Sequence, residues 1–431
     1  MKCLLVLAGL LAACAPTIGV ADDDVGGDET LVGDSATDTD DPNVGVSPAV
    51  AKPRFEAFFA VPKVDGTGDP TLENKIIELI DGTPKGARIR MSMFGFTRLK
   101  PANALVRAAK RGVDIQIVLD QENVVAKRLV AGVDETFTSE EDIDSVATAD
   151  DAEDETAISA AAKAAHLNPA VEVLKAGLPG GSITFCTRGN GSCMGRGIDH
   201  NKIYMFSTTG GAHKVVVQST ANLTTLKLHN ALVIARENPD LYDGYVSYFN
   251  DLRKYGKTAN GDLNYYRSVH GDKTIGYFFP RASGDTIISI LDNVKCTANS
   301  HLRIAMAFWE RTAIAEKLVA LQKKGCDVRV NMRHAGKDVD QGIITTLKKG
   351  GVNVALYPDQ HGANIHSKYL IIDSAYETDS SSGHRHLVFT GSHNYTTGAL
   401  RNNDEALLRV HNEQVFQAYM DNWKTMRAQM D

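Results

Sequence analysis

Long apolar segments are scarce in this 431-residue sequence, and the longest lies at its amino terminus. Residues 3–13, CLLVLAGLLAA, are fewer than the roughly 18 residues that a membrane-spanning helix needs. No other stretch approaches that length. The sequence therefore excludes a protein built from membrane-spanning helices and predicts a folded body outside the bilayer.

The short apolar run has the features of an export signal. A basic residue precedes it, and the Leu-Ala-Ala-Cys at residues 11–14 resembles a bacterial lipobox, in which the cysteine is acylated. We therefore predict that residues 1–14 are a lipoprotein signal peptide and that lipid on Cys14 anchors the exported protein in a bacterial cell envelope. The alternative is an ordinary signal peptide cut near Ala21.

Cysteine is also scarce, at six residues. One is lost with the signal and Cys14 is assigned to the lipid, which leaves an even number in an oxidising compartment and predicts two disulfides. Cys186 and Cys193 flank a glycine-rich loop and pair in this interpretation, so that Cys296 pairs with Cys326. Metal binding by these cysteines is disfavoured, because no CxxC pair or nearby histidine cluster has the spacing of a zinc site.

Two long segments lack basic residues altogether. Residues 22–41 carry nine acidic side chains and residues 134–155 carry eleven. Without them the formal charge changes from −7 to +13, so the rest of the chain suits an anionic partner such as nucleic acid or an anionic lipid surface. Basic surface that only aids solubility is the alternative. Residues 15–52, rich in Asp, Gly, Thr and Ser, are predicted to be a disordered acidic linker.

The remaining sequence contains two copies of one pattern, in which amphipathic helices alternate with apolar strands. The equivalent segments are 71–95 and 285–309, 103–120 and 316–334, and 171–185 and 343–357. This alternation predicts two similar α/β halves with mixed sheets flanked by helices. We place the first half at residues 53–260, with an acidic, flexible surface insertion at about 121–165, and the second at residues 261–431.

Each half ends with a His-x-Lys motif followed by a hydroxyl-x-Asn motif. A histidine and a lysine two apart on a strand point to the same face. Two imidazoles suit phosphodiester cleavage, because one attacks phosphorus while the other protonates the leaving oxygen. The lysines and asparagines would hold the developing charge, and the two hydroxyls would contact the substrate. These residues are His200, Lys202, Thr220 and Asn222 in the first half and His366, Lys368, Ser392 and Asn394 in the second.

The motifs resemble those of the phospholipase D superfamily, whose signature is His-x-Lys-x4-Asp followed by Gly-Ser-x-Asn. The second half fits in full, since Asp373 and Gly391 complete it. The first half departs twice, with Ser207 in place of the aspartate and Ser-Thr in place of Gly-Ser. The resemblance covers most of residues 54–430.

This resemblance implies two halves packed about a pseudo-two-fold axis, with one active site between them and a phosphohistidine intermediate. By family precedent His200 is the nucleophile and His366 the acid, while the aspartate of the motif, Asp373, is mainly structural. The family often places a carboxylate against the imidazole Nδ1, which indicates Glu405, with Asn230 as its counterpart in the other repeat. The implied reaction needs no metal and no cofactor.

Several further residues have expected places. His393, inside the second asparagine motif, is positioned to face the pocket. Phe94 and Trp309 end equivalent strands, where they either wall the entrance or pack in the core. His384 and His386 are assigned to loops.

The predicted function is hydrolysis of the head-group phosphodiester bond of phospholipids by a lipid-anchored monomer, leaving a phosphatidic acid. A secreted nuclease with the same chemistry is the first alternative. Transfer to an alcohol, as in cardiolipin synthesis, is disfavoured because such synthases usually carry membrane spans. A non-catalytic lipid- or nucleic-acid-binding lipoprotein with a decayed first half is the third.

Overall fold

The computed structural model describes residues 53–124, 156–165, 167–258, 260–333, 339–358, 361–378 and 382–430. The predicted signal peptide, the acidic linker and most of the predicted insertion lie outside these residues. The described end of the insertion is helical, at Ala157–Ala164, where the Thr156 side chain accepts a hydrogen bond from the Ser159 amide. This segment is more ordered than predicted because it is rich in alanine, the strongest helix former, and has its own cap.

The first half is built on one mixed sheet. Its strands are β1 (Phe55–Ala60), β2 (Arg88–Met93), β3 (Asp114–Asp120), β4 (Ile183–Cys186), β5 (Lys202–Thr209), β6 (Ala212–Ser219) and β7 (Leu228–Ala235). Their order across the sheet is β1-β7-β6-β5-β2-β3-β4. The pairs β2–β3 and β3–β4 are parallel, and the other pairs in this order are antiparallel.

The second half repeats this arrangement. Its strands are β8 (Arg267–Gly271), β9 (Thr274–Phe279), β10 (Val294–Lys295), β11 (His301–Met306), β12 (Asp327–Met332), β13 (Asn353–Leu356), β14 (Asn364–Ile365), β15 (Lys368–Tyr376), β16 (His384–Gly391) and β17 (Glu405–Val410). The main order is β13-β12-β11-β15-β16-β17-β9-β8. From β9 to β13 it matches the first sheet strand for strand, which confirms the predicted pair of similar α/β halves.

Helices cover the sheets. They are α1 (Thr71–Asp81), α2 (Leu99–Lys110), α3 (Ala157–Ala164), α4 (Pro169–Gly177), α5 (Pro239–Tyr255), α6 (Thr286–Asp292), α7 (Thr312–Lys323), α8 (Gln341–Lys349), α9 (Thr397–Arg401) and α10 (Glu413–Ala428). In α1 the buried Leu72, Ile76 and Leu79 recur at helical spacing, so one face of the helix enters the core. Within the described ranges no helix is both long and apolar enough to cross a membrane.

A central core joins the two halves. It combines Met205 of the first sheet with Ile371 of the second, and α5 and α10 contribute Tyr245 and Trp423. Each half also has an outer core between its sheet and its own helices. Because burying each large apolar side chain contributes about 1.5–3 kcal/mol, the central core fixes the halves against one another.

Both predicted disulfides are confirmed. Cys186 is bonded to Cys193, and Cys296 is bonded to Cys326. The first closes a short loop next to the central core, and the second ties the residue after β10 to the residue before β12.

Candidate active site

The two His-x-Lys motifs meet because a backbone segment of each half pairs with a segment of the other half. β14, which ends one residue before His366, pairs in parallel with β7 of the first sheet. In the same way Asp199 forms a parallel bridge with Asp404, the residue before β17 in the second sheet. Each histidine therefore stands where its own half contacts the partner half, and the amide of His200 donates to the Asp404 carbonyl at 3.0 Å.

His200 is held by a carboxylate from the other half. Its Nδ1 lies 2.9 Å from both carboxylate oxygens of Glu405, and both side chains are buried. The Phe94 ring packs edge-on against the imidazole at 5.4 Å. Because Nδ1 carries the proton shared with the carboxylate, Nε2 keeps its lone pair for chemistry.

His366 is held in the same way by an amide. Its Nδ1 lies 2.9 Å from Oδ1 of Asn230, which comes from the first half. Asn230 pairs with Ala60 across β7 and β1, and Glu405 pairs with Phe279 across the equivalent strands β17 and β9. Asn230 and Glu405 are thus equivalent residues, and the site is symmetric in geometry but not in charge.

Both lysines are buried beside the imidazoles. Lys368 Nζ lies 2.5 Å from His366 Nε2, and Lys202 Nζ donates to the His200 carbonyl at 2.9 Å. Lys202 also lies over the Phe94 ring at 5.1 Å. Two buried ammonium groups next to two imidazoles provide the positive potential that a phosphate group requires.

The two asparagines of the motifs are fixed through their carbonyl oxygens. Oδ1 of Asn222 accepts from the Gly95 amide at 3.2 Å, and Oδ1 of Asn394 accepts from the Phe308 amide at 3.3 Å. In Asn394 this orientation turns the amide nitrogen away from the Phe308 amide. Nδ2 of Asn394 is buried without a hydrogen-bond partner among the described residues. A phosphate oxygen is the acceptor that would satisfy this donor.

Burial raises the pKa values of the carboxyl groups at the site. It raises the pKa of Glu405 to about 7, against the opposing effects of Lys202, Ser392 and Asn403. Burial also raises the pKa of Asp199 to about 7 and that of Asp404 to about 6, and the neighbouring Asp404 charge adds to the effect on Asp199. Groups whose pKa values are moved toward neutrality are typical of catalytic sites.

Sequence reasoning missed the buried aspartates. The Asp404 carboxylate accepts from the Met194 and Gly195 amides at 3.1 and 3.0 Å and also from the Cys193 amide. Asp199 accepts from Ser92 at 2.8 Å. The signal was present, because one aspartate directly precedes His200 and the other directly precedes Glu405.

The hydroxyls of the asparagine motifs bond close to the partners of the two imidazoles. Thr220 donates to Oδ1 of Asn230 at 2.9 Å and accepts from the Ala231 amide. Ser392 accepts from the Ala406 amide at 3.0 Å. Thr220 thus supports Asn230 and Ser392 supports Glu405, while their contact with substrate stays a prediction.

Asp373 lies apart from the other motif residues. It is five residues beyond Lys368 on β15, roughly 16 Å away at 3.3 Å per residue. Its carboxylate contacts His384 at 2.6 Å and His386 at 3.3 Å. The structure thus brings His200, His366, both lysines, both asparagines and Glu405 together without Asp373. In the first half Ser207 accepts from the Arg88 amide at 2.8 Å.

Four further residues singled out in the sequence, His384, His386, His393 and Trp309, have defined places in the fold. His384 and His386 are strand residues at the start of β16, so the predicted loop is wrong there. Trp309 is fully buried against Tyr395 and belongs to the core. His393 is buried and packs on Phe279 at 4.5 Å, and burial holds its pKa well below the usual range.

A small pocket adjoins the site. Its cavity volume is about 30 Å³, and Asn222 and Asn230 form part of its wall. The rest of the wall combines leucine and isoleucine side chains with polar and charged ones, among them Leu72, Ile76, Leu223, Leu226, Leu228, Leu232, Asp69, Ser219, Thr224, Thr225, Glu73 and Arg98. Because Asn222 is shared, an apolar group held here would lie next to a phosphate between the imidazoles.

Within the described residues, two groups have metal-ligand composition. One contains Cys186 and Cys193 with Asp404, but its cysteines are joined in a disulfide and unavailable as thiolates. The other is Asp373 with His384 and His386, away from the paired imidazoles.

Comparisons with known proteins agree with this geometry. A family model described as cardiolipin synthase, PLD-like domain, matches residues 76–253 and 291–427. The phosphatidylserine synthase of Haemophilus influenzae Rd KW20 is similar over 88% of this chain and 86% of its own, with a TM-score of 0.54 and 14% sequence identity. A polyphosphate kinase from Porphyromonas gingivalis is similar over 86% of this chain, with a TM-score of 0.51 and 13% identity, and the chain spans 46% of that protein. At these identities the likeness to solved structures shows a shared fold. No curated protein matches the sequence.

Proposed function

Because this chain belongs to the family described as cardiolipin synthase, PLD-like domain, we propose that it hydrolyses the head-group phosphodiester bond of phospholipids through a phosphohistidine. The observation that carries this proposal is the pair of imidazoles, each of which is held by a side chain of the opposite half. His200 and His366 come from different halves, and each has its Nδ1 fixed 2.9 Å from a side-chain oxygen of the opposite half. In the proposed reaction both rings act through Nε2 on one phosphorus atom, and Lys368 Nζ lies 2.5 Å from Nε2 of His366.

In the first step Nε2 of His200 attacks phosphorus and the bond to the head-group oxygen breaks. His366 gives its Nε2 proton to that oxygen. Lys202, Lys368 and the free amide of Asn394 hold the charge on the non-bridging oxygens. In the second step His366 takes a proton from water, the oxygen of that water attacks phosphorus, and the bond to His200 breaks.

The unequal partners of the two imidazoles support the assignment of roles. Phosphorylation leaves a positive charge on the attacking ring, and the Glu405 carboxylate beside His200 stabilises that charge. The amide of Asn230 orients His366 but stabilises a cation less. His200 is accordingly the nucleophile and His366 the acid and base.

The pocket beside Asn222 supports a substrate with an apolar part. Leucine and isoleucine side chains line part of this pocket, and we propose that glycerol or acyl carbons next to the phosphate contact them. The nuclease alternative is supported by the basic body of the chain, with its formal charge of +13 outside the two acidic segments. We further propose that Cys14 is lipidated and that the protein acts at the envelope membrane as a monomer.

Side-by-side hydrolysis tests the substrate class. Protein lacking residues 1–52 is offered phosphatidylcholine, cardiolipin and single-stranded DNA in EDTA, with His366→Ala as control. We expect release of head group and formation of phosphatidic acid, with activity retained in EDTA because lysines and asparagines already hold the phosphate. Cleavage of DNA alone would favour the nuclease, and turnover of none of the three would favour a binding protein.

A further inference from the structure

A cluster of imidazole and carboxylate groups lies on the second sheet, away from the paired active-site histidines. Asp373 on β15 pairs with His301 on β11 and with His386 on β16. Cross-strand partners place their side chains on the same face of a sheet, and His384, two residues before His386, shares that face. Asp373 is thus flanked by histidines.

The side chains converge closely enough to share one ion. Oδ1 of Asp373 lies 2.6 Å from Nε2 of His384 and 3.3 Å from Nε2 of His386. One donor atom from each of the three residues fits within 4.8 Å of the others. Tetrahedral ligands at about 2.1 Å from zinc stand about 3.4 Å apart, so the His386 pair already fits and the His384 pair needs to open by under about 1 Å. The His384 side chain is 49% exposed and can make that movement.

The second nitrogen of His386 is already engaged in the manner of a metal ligand. Its Nδ1 lies 2.5 Å from Oε2 of Glu413, at the start of α10. Its ring stacks on Phe416 at 4.3 Å with the planes 10° apart. A carboxylate on the far nitrogen fixes the tautomer and leaves Nε2 as the coordinating atom.

We propose that Asp373, His384 and His386 bind a divalent transition-metal ion of the zinc type, with water completing the coordination. Two imidazoles and a carboxylate suit zinc, copper or nickel, whereas magnesium and calcium prefer oxygen ligands throughout. The ion would tie β15 to β16 and, through Glu413, to α10. It lies roughly 16 Å from the reacting groups along β15 and takes no part in hydrolysis.

Titration of the full-length protein, without an affinity tag, with ZnCl2 tests this site. Calorimetry should show one zinc bound per chain, and Co²⁺ should give a visible absorption band. The double variant His384→Gln/His386→Gln should lose both signals, and Asp373→Asn should weaken binding. Glu413→Gln should weaken zinc binding by about 10-fold, as expected for a carboxylate that only orients a ligand.

Matched controls keep the result interpretable. His213 is an exposed strand histidine of the first half, so His213→Gln should bind zinc like the wild type. Phosphodiester turnover should be unchanged in His384→Gln, which shows that the variant is folded. Absence of zinc binding by the wild type at millimolar zinc, or undiminished binding by the folded double variant, would overturn the proposal.

Discussion

The imidazoles of His200 and His366 are held at Nδ1 with the same geometry, one by a carboxylate and the other by an amide. Glu405 can carry a negative charge next to His200, whereas Asn230 cannot do so next to His366. The difference assigns the covalent step to one ring, because only that ring must carry a positive charge through an intermediate.

Replacing Glu405 with glutamine should lower kcat/KM by roughly 10²–10⁴-fold, the scale seen when a carboxylate that orients a catalytic histidine is replaced by an amide. Burial raises the pKa of Glu405 to about 7. Because the reaction uses the ionised form, wild-type turnover should fall as pH drops below about 7.

This acid limb should be absent from the pH profile of Glu405→Gln. Asn230→Asp is the matched control, since it alters the partner of the other imidazole and should leave the limb in place. An unchanged limb in Glu405→Gln would show that a different group titrates.

At the residue scale, the sequence predicted the histidines, lysines and asparagines of the site, because motif spacing on a strand fixes which side chains share a face. It did not predict which half supplies the partner of each imidazole. The choice of partner depends on two long-range pairings between the halves. β14 pairs with β7, and the segment before β5 pairs with the residue before β17. The supporting role of Thr220 and Ser392 was missed for the same reason.

At the scale of elements, the loop between Cys186 and His200 connects the halves. Its Cys193–Gly195 amides hold Asp404, which is followed directly by Glu405. Gly195 permits the close approach, since a Cβ there would lie 1.8 Å from the Asn402 carbonyl oxygen. The disulfide is therefore two contacts away from the nucleophile.

Removing the Cys186–Cys193 disulfide by a double serine substitution should lower turnover more than stability. The Cys296→Ser/Cys326→Ser variant is the control. From sequence separations of 7 and 30, the loop-closure contributions are about 2.5 and 3.7 kcal/mol, so the control should lose more unfolding free energy and less activity. Denaturant unfolding and kcat measured together decide this. Equal loss of turnover in both variants would mean that the first loop does not position the site.

The helices and strands of the repeat could be predicted because apolar periodicity and turn residues are local signals. The start of β16 could not be predicted in this way. His384, Arg385 and His386 are polar and follow serines and a glycine, so the local pattern is typical of a loop. Pairing with β15 makes this segment a strand, and that pairing is tertiary.

At the scale of the whole molecule, the contact between halves contains buried carboxyl groups. Burial raises the pKa values of Asp199 to about 7 and of Asp404 to about 6, above their ordinary value in an unfolded chain. The folded state therefore binds more protons than the unfolded state between about pH 4 and 7. The stability from these groups is fully present below about pH 4 and is lost as pH rises toward 7.

Substituting Asp199 with asparagine should flatten this dependence. The free energy of unfolding, measured by denaturant titration at several pH values from about 4 to 7.5, should fall less steeply in Asp199→Asn than in the wild type. A slope identical to that of the wild type would show that Asp199 does not take up a proton on folding.

The charge of the whole chain is divided between a basic body and two acidic segments. Deleting residues 134–155 removes eleven acidic side chains. We expect stronger co-sedimentation with anionic vesicles or DNA at low salt, and loss of the gain at high salt, since screening acts over about 8 Å at physiological ionic strength. Equal binding by the deletion variant and the wild type at low salt would mean that this segment has no electrostatic role.

The central claim is a covalent bond between phosphorus and His200, and His366→Ala can trap it. A phosphatidic acid esterified to p-nitrophenol carries nitrophenol in place of the head group. This leaving group needs no acid, so the first step should proceed without His366 while hydrolysis stalls. An alkaline quench followed by peptide mass spectrometry should find a phosphatidyl group on His200, with one equivalent of p-nitrophenol released per enzyme. Full turnover by His366→Ala with no adduct, or in the His200→Ala variant an adduct on His366, would contradict the account.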